Sequence, residues 1–108
     1  MFCDIISIMN YIEVLKVLAN ETRLNILHLL KHPKKHFSCK SEIDMDEFGV
    51  CVEEIQRVSG LSQSTTSTYM NMMKREGLVI ATRIGKYTYF KRNDEVVQKL
   101  AEYLSTKL

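Results

Sequence analysis

The chain has 108 residues, of which 45% are hydrophobic and 26% charged, with a formal net charge of +2. That supplies one globular domain with a modest core and excludes a disordered or low-complexity chain. Three cysteines are too few for a disulfide scaffold, the first residues lack the basic n-region of a secretory signal, and no apolar run approaches the ~20 residues needed to span a bilayer. A cytoplasmic protein with no membrane segment is expected, and oligomerisation is the natural supplement to so small a core.

In chain order, Ile5, Ile8, Met9, Ile12, Leu15 and Ala19 recur at helical spacing and predict a first helix over Ile5 to Ala19. Asn20 breaks that stripe and is placed to cap a second helix, Glu21 to Lys31. Leu24, Ile26, Leu27, Leu29 and Leu30 make this helix apolar nearly all round, which predicts a central core helix that also buries His28. Pro33 ends it. Lys34 to Gly49 has no sustained periodicity and reads as a long connection, a kind of segment often tied to function.

Helical spacing resumes with Val52, Ile55 and Val58, followed by Gly60, a residue suited to a left-handed helix end. Ser62 is a good N-cap for the next helix, Gln63 to Glu76, which Gly77 terminates. Leu78 to Arg92 predicts two strands around Gly85, rich in β-branched and aromatic residues. Asn93 or Asp94 opens a last helix with Val97, Leu100, Ala101, Leu104 and Leu108 on its apolar face. The predicted fold is mainly α with a β-hairpin: a single winged helix-turn-helix domain over 1–108, with about five helices, a helix-turn-helix at 52–76 and a two-stranded wing at 78–92.

On a helical wheel, Thr66, Met70 and Met73 share one face of the helix after the turn, with Tyr69 beside them, and are expected to pack inward. Ser64, Thr68, Asn71 and Arg75 share the opposite face, flanked by Ser67 and Lys74. Ser and Thr are mediocre helix formers, so the run Ser64-Thr65-Thr66-Ser67 sacrifices helix propensity. Short hydroxyl and amide side chains let a helix approach base edges closely, and its N-terminal residues are the ones that reach them in a helix-turn-helix. Gln63, Ser64, Thr65, Ser67, Thr68 and Asn71 are therefore the candidate contacts to double-stranded DNA. Arg83 and Lys86 straddle Gly85 at the wing tip and are the candidate phosphate or minor-groove contacts. Tyr87 and Tyr89 share a strand face and read as packing residues.

Charge distribution agrees with this division. From Ser62 to Arg92 the charged residues are Lys74, Arg75, Arg83, Lys86, Lys91 and Arg92 against the single acid Glu76. Glu42 to Glu54 carries Glu42, Asp44, Asp46, Glu47, Glu53 and Glu54 with no base among them. One surface is thus suited to a polyanion and another is not.

Leu18-Ala19-Asn20-Glu21-Thr22-Arg23-Leu24-Asn25-Ile26-Leu27, Gly60-Leu61-Ser62-Gln63-Ser64-Thr65 and Glu76-Gly77-Leu78-Val79 together resemble the ArsR/SmtB repressors. Arg83-Ile84-Gly85-Lys86-Tyr87-Thr88-Tyr89 looks like that family's wing. The resemblance implies a homodimeric repressor, paired through its first and last helices, that leaves an inverted-repeat operator when it senses an inducer. Two departures stand out. The family's Cys-Val-Cys metal run is here Cys51-Val52-Glu53, and no His follows His36 to build the site others carry on the last helix. Neither a metal nor another cofactor is expected, and the inducer, a small molecule or a redox signal, is not named by the sequence.

Cys39 and Cys51 bracket the long connection, so a reversible disulfide between them is one alternative signal. His32, His36 and Cys39 have ligand chemistry for zinc but loose spacing. A rival function is a winged-helix protein-interaction module that does not bind DNA. Enzyme motifs are absent: there is no Gly-rich phosphate loop, Ser/His/Asp pattern or paired metal motif.

Overall fold

The computed structural model describes residues 11–38 and 42–108. Its elements in chain order are α1 (residues 11–18), α2 (Glu21–Leu29), α3 (Pro33–His36), α4 (Met45–Phe48), β1 (Val50–Cys51), α5 (Val52–Ser59), α6 (Gln63–Arg75), β2 (Val79–Ile84), β3 (Tyr87–Arg92) and α7 (Asp94–Lys107). The predicted core positions Ile5, Ile8 and Met9 lie outside the described residues, as does Cys39. Among the described residues, no helix is long and apolar enough to cross a membrane.

The first helix packs through a different stripe from the one the sequence favours. Val14 and Val17 are buried in the core, whereas Ile12 and Leu15 are 47% and 37% exposed. The helix is apolar on two sides, and periodicity alone does not say which side its own chain covers. Asn20 caps α2 as expected, its Oδ1 accepting from the Arg23 backbone N–H at 3.0 Å. Ile26, Leu27 and Leu30 are buried, but Leu24 is 52% exposed and His28 is exposed. The reading of His28 as a core histidine is therefore corrected: a helix lying against one side of a small domain buries one face, however apolar the other.

The described parts of the long connection hold two short helices that its sequence does not indicate. Pro33 occupies the first position of α3, where its missing N–H costs nothing, so it opens a helix as well as closing the preceding one. Asp44 caps α4 by accepting from the Asp46 N–H at 3.0 Å. Lys34 ties the two short helices together through Asp46 at 3.0 Å and Asp44 at 3.5 Å. Phe37 and Met45 carry this segment into the core. With these two helices the described count is seven, not about five.

The wing is also one strand wider than predicted. The antiparallel sheet has the order β1-β3-β2, with Val50 opposite Phe90, Cys51 opposite Tyr89, and β2 paired with β3 from Val79↔Arg92 to Ile84↔Tyr87. Alternation sends Val50, Val79, Ala81 and Phe90 to the core face and Cys51, Ile80, Tyr87 and Tyr89 to the other. Gly49 makes this third strand possible. Its φ is +96°, and a Cβ there would stand 2.1 Å from the Phe90 carbonyl oxygen. Ile26, Ile55, Met70, Met73 and Leu78 form the inaccessible centre of the core, each contributing about 1.5–3 kcal/mol by leaving water.

Candidate nucleic-acid interface

Local chemistry builds the turn between α5 and α6. Gly60 closes α5 in the left-handed conformation (φ 73°, ψ 11°), its N–H donating to the Gln56 carbonyl. Two residues later Ser62 caps α6: its Oγ accepts from the Thr65 N–H at 3.2 Å and donates to Thr65 Oγ1 at 2.9 Å. Thr66 is fully buried, and its hydroxyl donates to the Ser62 carbonyl at 2.8 Å. Ser64 Oγ also lies 3.4 Å from Ser62 Oγ, so three of the four consecutive hydroxyl residues contact the capping serine.

The faces of α6 divide as the wheel predicts. Thr66, Met70 and Met73 are buried, while Gln63, Ser64, Ser67, Thr68, Asn71, Lys74 and Arg75 are exposed. Thr65, a candidate contact, is half-buried and has its hydroxyl engaged in the cap. Arg23, from the motif upstream, fixes the helix against the rest of the domain. Its Nε donates to the Val17 carbonyl at 2.6 Å, and its guanidinium lies 4.8 Å from the Tyr69 ring centroid. One side chain therefore links the end of α1, the start of α2 and the inner flank of α6.

At the wing tip, Arg83 folds over the turn it precedes, donating from Nε to the Gly85 carbonyl at 3.1 Å and from Nη1 to Thr88 Oγ1 at 3.4 Å. Lys86 is exposed, its Nζ 5.8 Å from the Tyr87 ring centroid. Tyr89 is buried and Tyr87 exposed.

Glu54, counted in the sequence among the acids of a charged surface, is instead buried. Only 6% exposed at the start of α5, its carboxylate accepts the Ser38 N–H at 3.1 Å and pairs with Arg57, whose Nη2 stands 3.3 Å away and whose Nε also donates. That hydrogen bond, with the carboxylate's charge behind it, holds the Arg57 pKa above its ordinary value. Cys51 is the N-cap of α5 and is half-buried. His28, His32 and His36 are exposed, and among the described residues no three His, Cys, Asp or Glu side chains gather as a metal site.

An α5–turn–α6 unit with a polar outer helix face, followed at once by a β-hairpin wing, defines a winged helix-turn-helix DNA-binding transcriptional regulator. No family model matches the chain. It is 49% identical over 100 residues to an uncharacterized HTH-type transcriptional regulator, YbzH, of Bacillus subtilis, a match covering 93% of this chain and all of that one. It is also 32% identical over 75 residues to the cadmium resistance transcriptional regulatory protein CadC of Listeria innocua, a match covering 69% of this chain but 51% of CadC. Among solved structures, it is similar to the homodimeric winged helix-turn-helix DNA-binding domain of a possible ArsR-family regulator from Mycobacterium bovis. That match has a TM-score of 0.68 and 26% identity, and covers 96% of this chain and 83% of that one. The chain belongs to the ArsR family of transcriptional regulators.

Proposed function

We propose that this protein is a sequence-specific repressor that binds double-stranded DNA as a homodimer and reads an inverted repeat. The observation that carries this reading is the division of α6: one face fully buried on Thr66, Met70 and Met73, the other exposed and built from short polar side chains. In the proposed complex, Gln63, Ser64, Ser67, Thr68 and Asn71 approach base edges in the major groove, with Thr65 presenting the helix start. Arg83 and Lys86 meet the flanking backbone or minor groove. Arg83 also braces the turn that presents Lys86.

Pairing draws on the terminal helices of a single 108-residue domain. Tyr11 and Tyr103 stack with ring centroids 4.3 Å apart, which sets α1 beside α7. Ile12 and Leu15 on the first and Leu104 on the second are left exposed, so a second copy has apolar surface to cover. A two-fold dimer carries two copies of α6 into successive major grooves about 34–36 Å apart. Signal reception in this reading does not use the family's usual metal sites, since Glu53 stands where the second thiolate of the cysteine pair would be.

Selection of bound fragments from genomic DNA followed by footprinting tests the proposal. The expected result is an enriched inverted repeat, protected over two half-sites about one helical turn apart, with two protomers per site. Failure to enrich any sequence, or protection of a single unpaired half-site by one protomer, overturns it.

A further inference from the structure

The sheet's second face carries an enclosure that the DNA-contact surface does not use. Tyr89 is only 5% exposed yet does not belong to the main core cluster, because it points away from the face on which Val50 and Phe90 pack. Its cover comes from the start of α5 and the segment before β1, and between them lies a cavity of about 380 Å³. That volume falls within the roughly 300–1,000 Å³ of small-ligand sites.

The walls define what would fit. They are mostly apolar, with the rings of Tyr87 and Tyr89, the Met45 thioether and Cys51 as polarisable surface. The charged groups are Glu53, Glu54 and Arg57. Arg57 pairs with Glu54 through two nitrogens, so that pair is neutral as a unit. Glu53 is exposed and has no ion-pair partner among the described residues, leaving one negative charge at the rim. Aromatic faces and an uncompensated carboxylate both favour a positive guest.

We propose that this cavity binds a compact hydrophobic organic cation, its apolar body against Tyr87, Tyr89 and Met45 and its charge toward Glu53. The cavity joins α5, which leads through Gly60 into α6, to β3, which forms half of the wing. An occupant touching both biases how helix and wing are presented together. That regulatory consequence rests on the DNA-binding function proposed above; occupancy of the site does not.

The test uses the full chain and benzyltrimethylammonium as probe, with neopentylbenzene as its neutral isostere and phenylacetate as the anionic control. Calorimetry and NMR report binding without DNA. The expected result is saturable binding of the cation, with shifts of the Met45 methyl and Tyr89 ring resonances, and binding at least about fivefold weaker for both controls. Glu53→Gln and Tyr87→Leu, both at exposed positions, each weaken the cation by about fivefold or more while the circular dichroism spectrum is unchanged. Absence of saturable shifts at Met45 and Tyr89, equal binding of the neutral isostere, or unaltered affinity in Glu53→Gln overturns the site. A saturating probe is also expected to change affinity for a selected DNA fragment. If the probe binds the cavity and DNA affinity does not move, the regulatory consequence is overturned and the site stands.

Discussion

Replacing Arg23 with Ala removes one side chain that joins three helices, and the loss can be sized from its contacts. The hydrogen bond from its Nε to the Val17 carbonyl, at 2.6 Å and from a charged donor, is worth about 1.5–3 kcal/mol. The guanidinium 4.8 Å from the Tyr69 centroid adds about 0.5–2 kcal/mol. Arg23 is half-buried, so both contributions sit toward the lower ends of their ranges, and the expected loss is about 2–4 kcal/mol. For a domain of this size that lowers the melting temperature by roughly 10–25 °C. Urea unfolding followed by circular dichroism reads the change, at one fixed protomer concentration because association shifts apparent stability. A double-mutant cycle with Tyr69→Leu isolates the ring contact, with an expected coupling of about 0.5–2 kcal/mol. An Arg23→Ala variant within about 0.5 kcal/mol of the parent, or a coupling of zero, refutes the role given to this residue.

Two glycines with positive φ separate strain from collision. Gly60→Ala, at φ +73° with nothing within 4 Å of the added Cβ, costs about 1–2 kcal/mol in a thermal melt. Gly49→Ala costs clearly more and strips amide-exchange protection from β1, because its Cβ would collide with the Phe90 carbonyl. Ser62→Ala destabilises by about 1 kcal/mol through loss of the α6 cap, measurable by urea titration. Asp44 titrates below the usual aspartate range, chiefly because the Asp46 N–H bonds its carboxylate and secondarily because Lys34 is near. NMR titration of the carboxyl carbon should show the Asp44 pKa rising in Lys34→Ala but staying below the usual aspartate range, because the Asp46 N–H still bonds it. Since the folded pKa is the lower one, the support is present above the unfolded pKa and is lost as pH falls through the folded value.

What the sequence disclosed and what it hid divide along the range of the interactions. The Gly60-Leu61-Ser62 turn was legible because a left-handed helix end and an N-cap are chemistry of neighbouring residues. The inner and outer faces of α6 followed from a 3.6-residue period sustained over 13 residues. Helices α3 and α4 have four residues each, too few for any period to show. Strand β1 has two, and it exists because Gly49 lets the backbone close on Phe90, some forty positions away in sequence. On α1 the periodicity favoured Ile12 and Leu15, yet Val14 and Val17 are the buried pair; the choice depends on what packs alongside. Thr65 looked like part of the reading surface, yet a hydroxyl serves a cap as readily as a base, and only the three-dimensional turn assigns it. Glu54 and Arg57 are neighbours on one turn of α5, but the burial of Glu54 and the cavity beside it depend on Ser38 and Tyr89, which no local pattern brings together.

In the proposed complex the exposed face of α6 reads sequence while the wing holds the backbone. Fluorescence anisotropy against a selected fragment and a scrambled one, over a series of salt concentrations, tests it most directly. Affinity should fall with salt at a log-log slope of about −0.9 per phosphate neutralised. Lys86→Ala should weaken both DNAs alike and reduce the slope by about 1 per protomer, whereas Ser64→Ala and Thr68→Ala should narrow the gap between the two DNAs and leave the slope unchanged. If all three variants bind both fragments as the parent does, the assignment of this surface to DNA is contradicted.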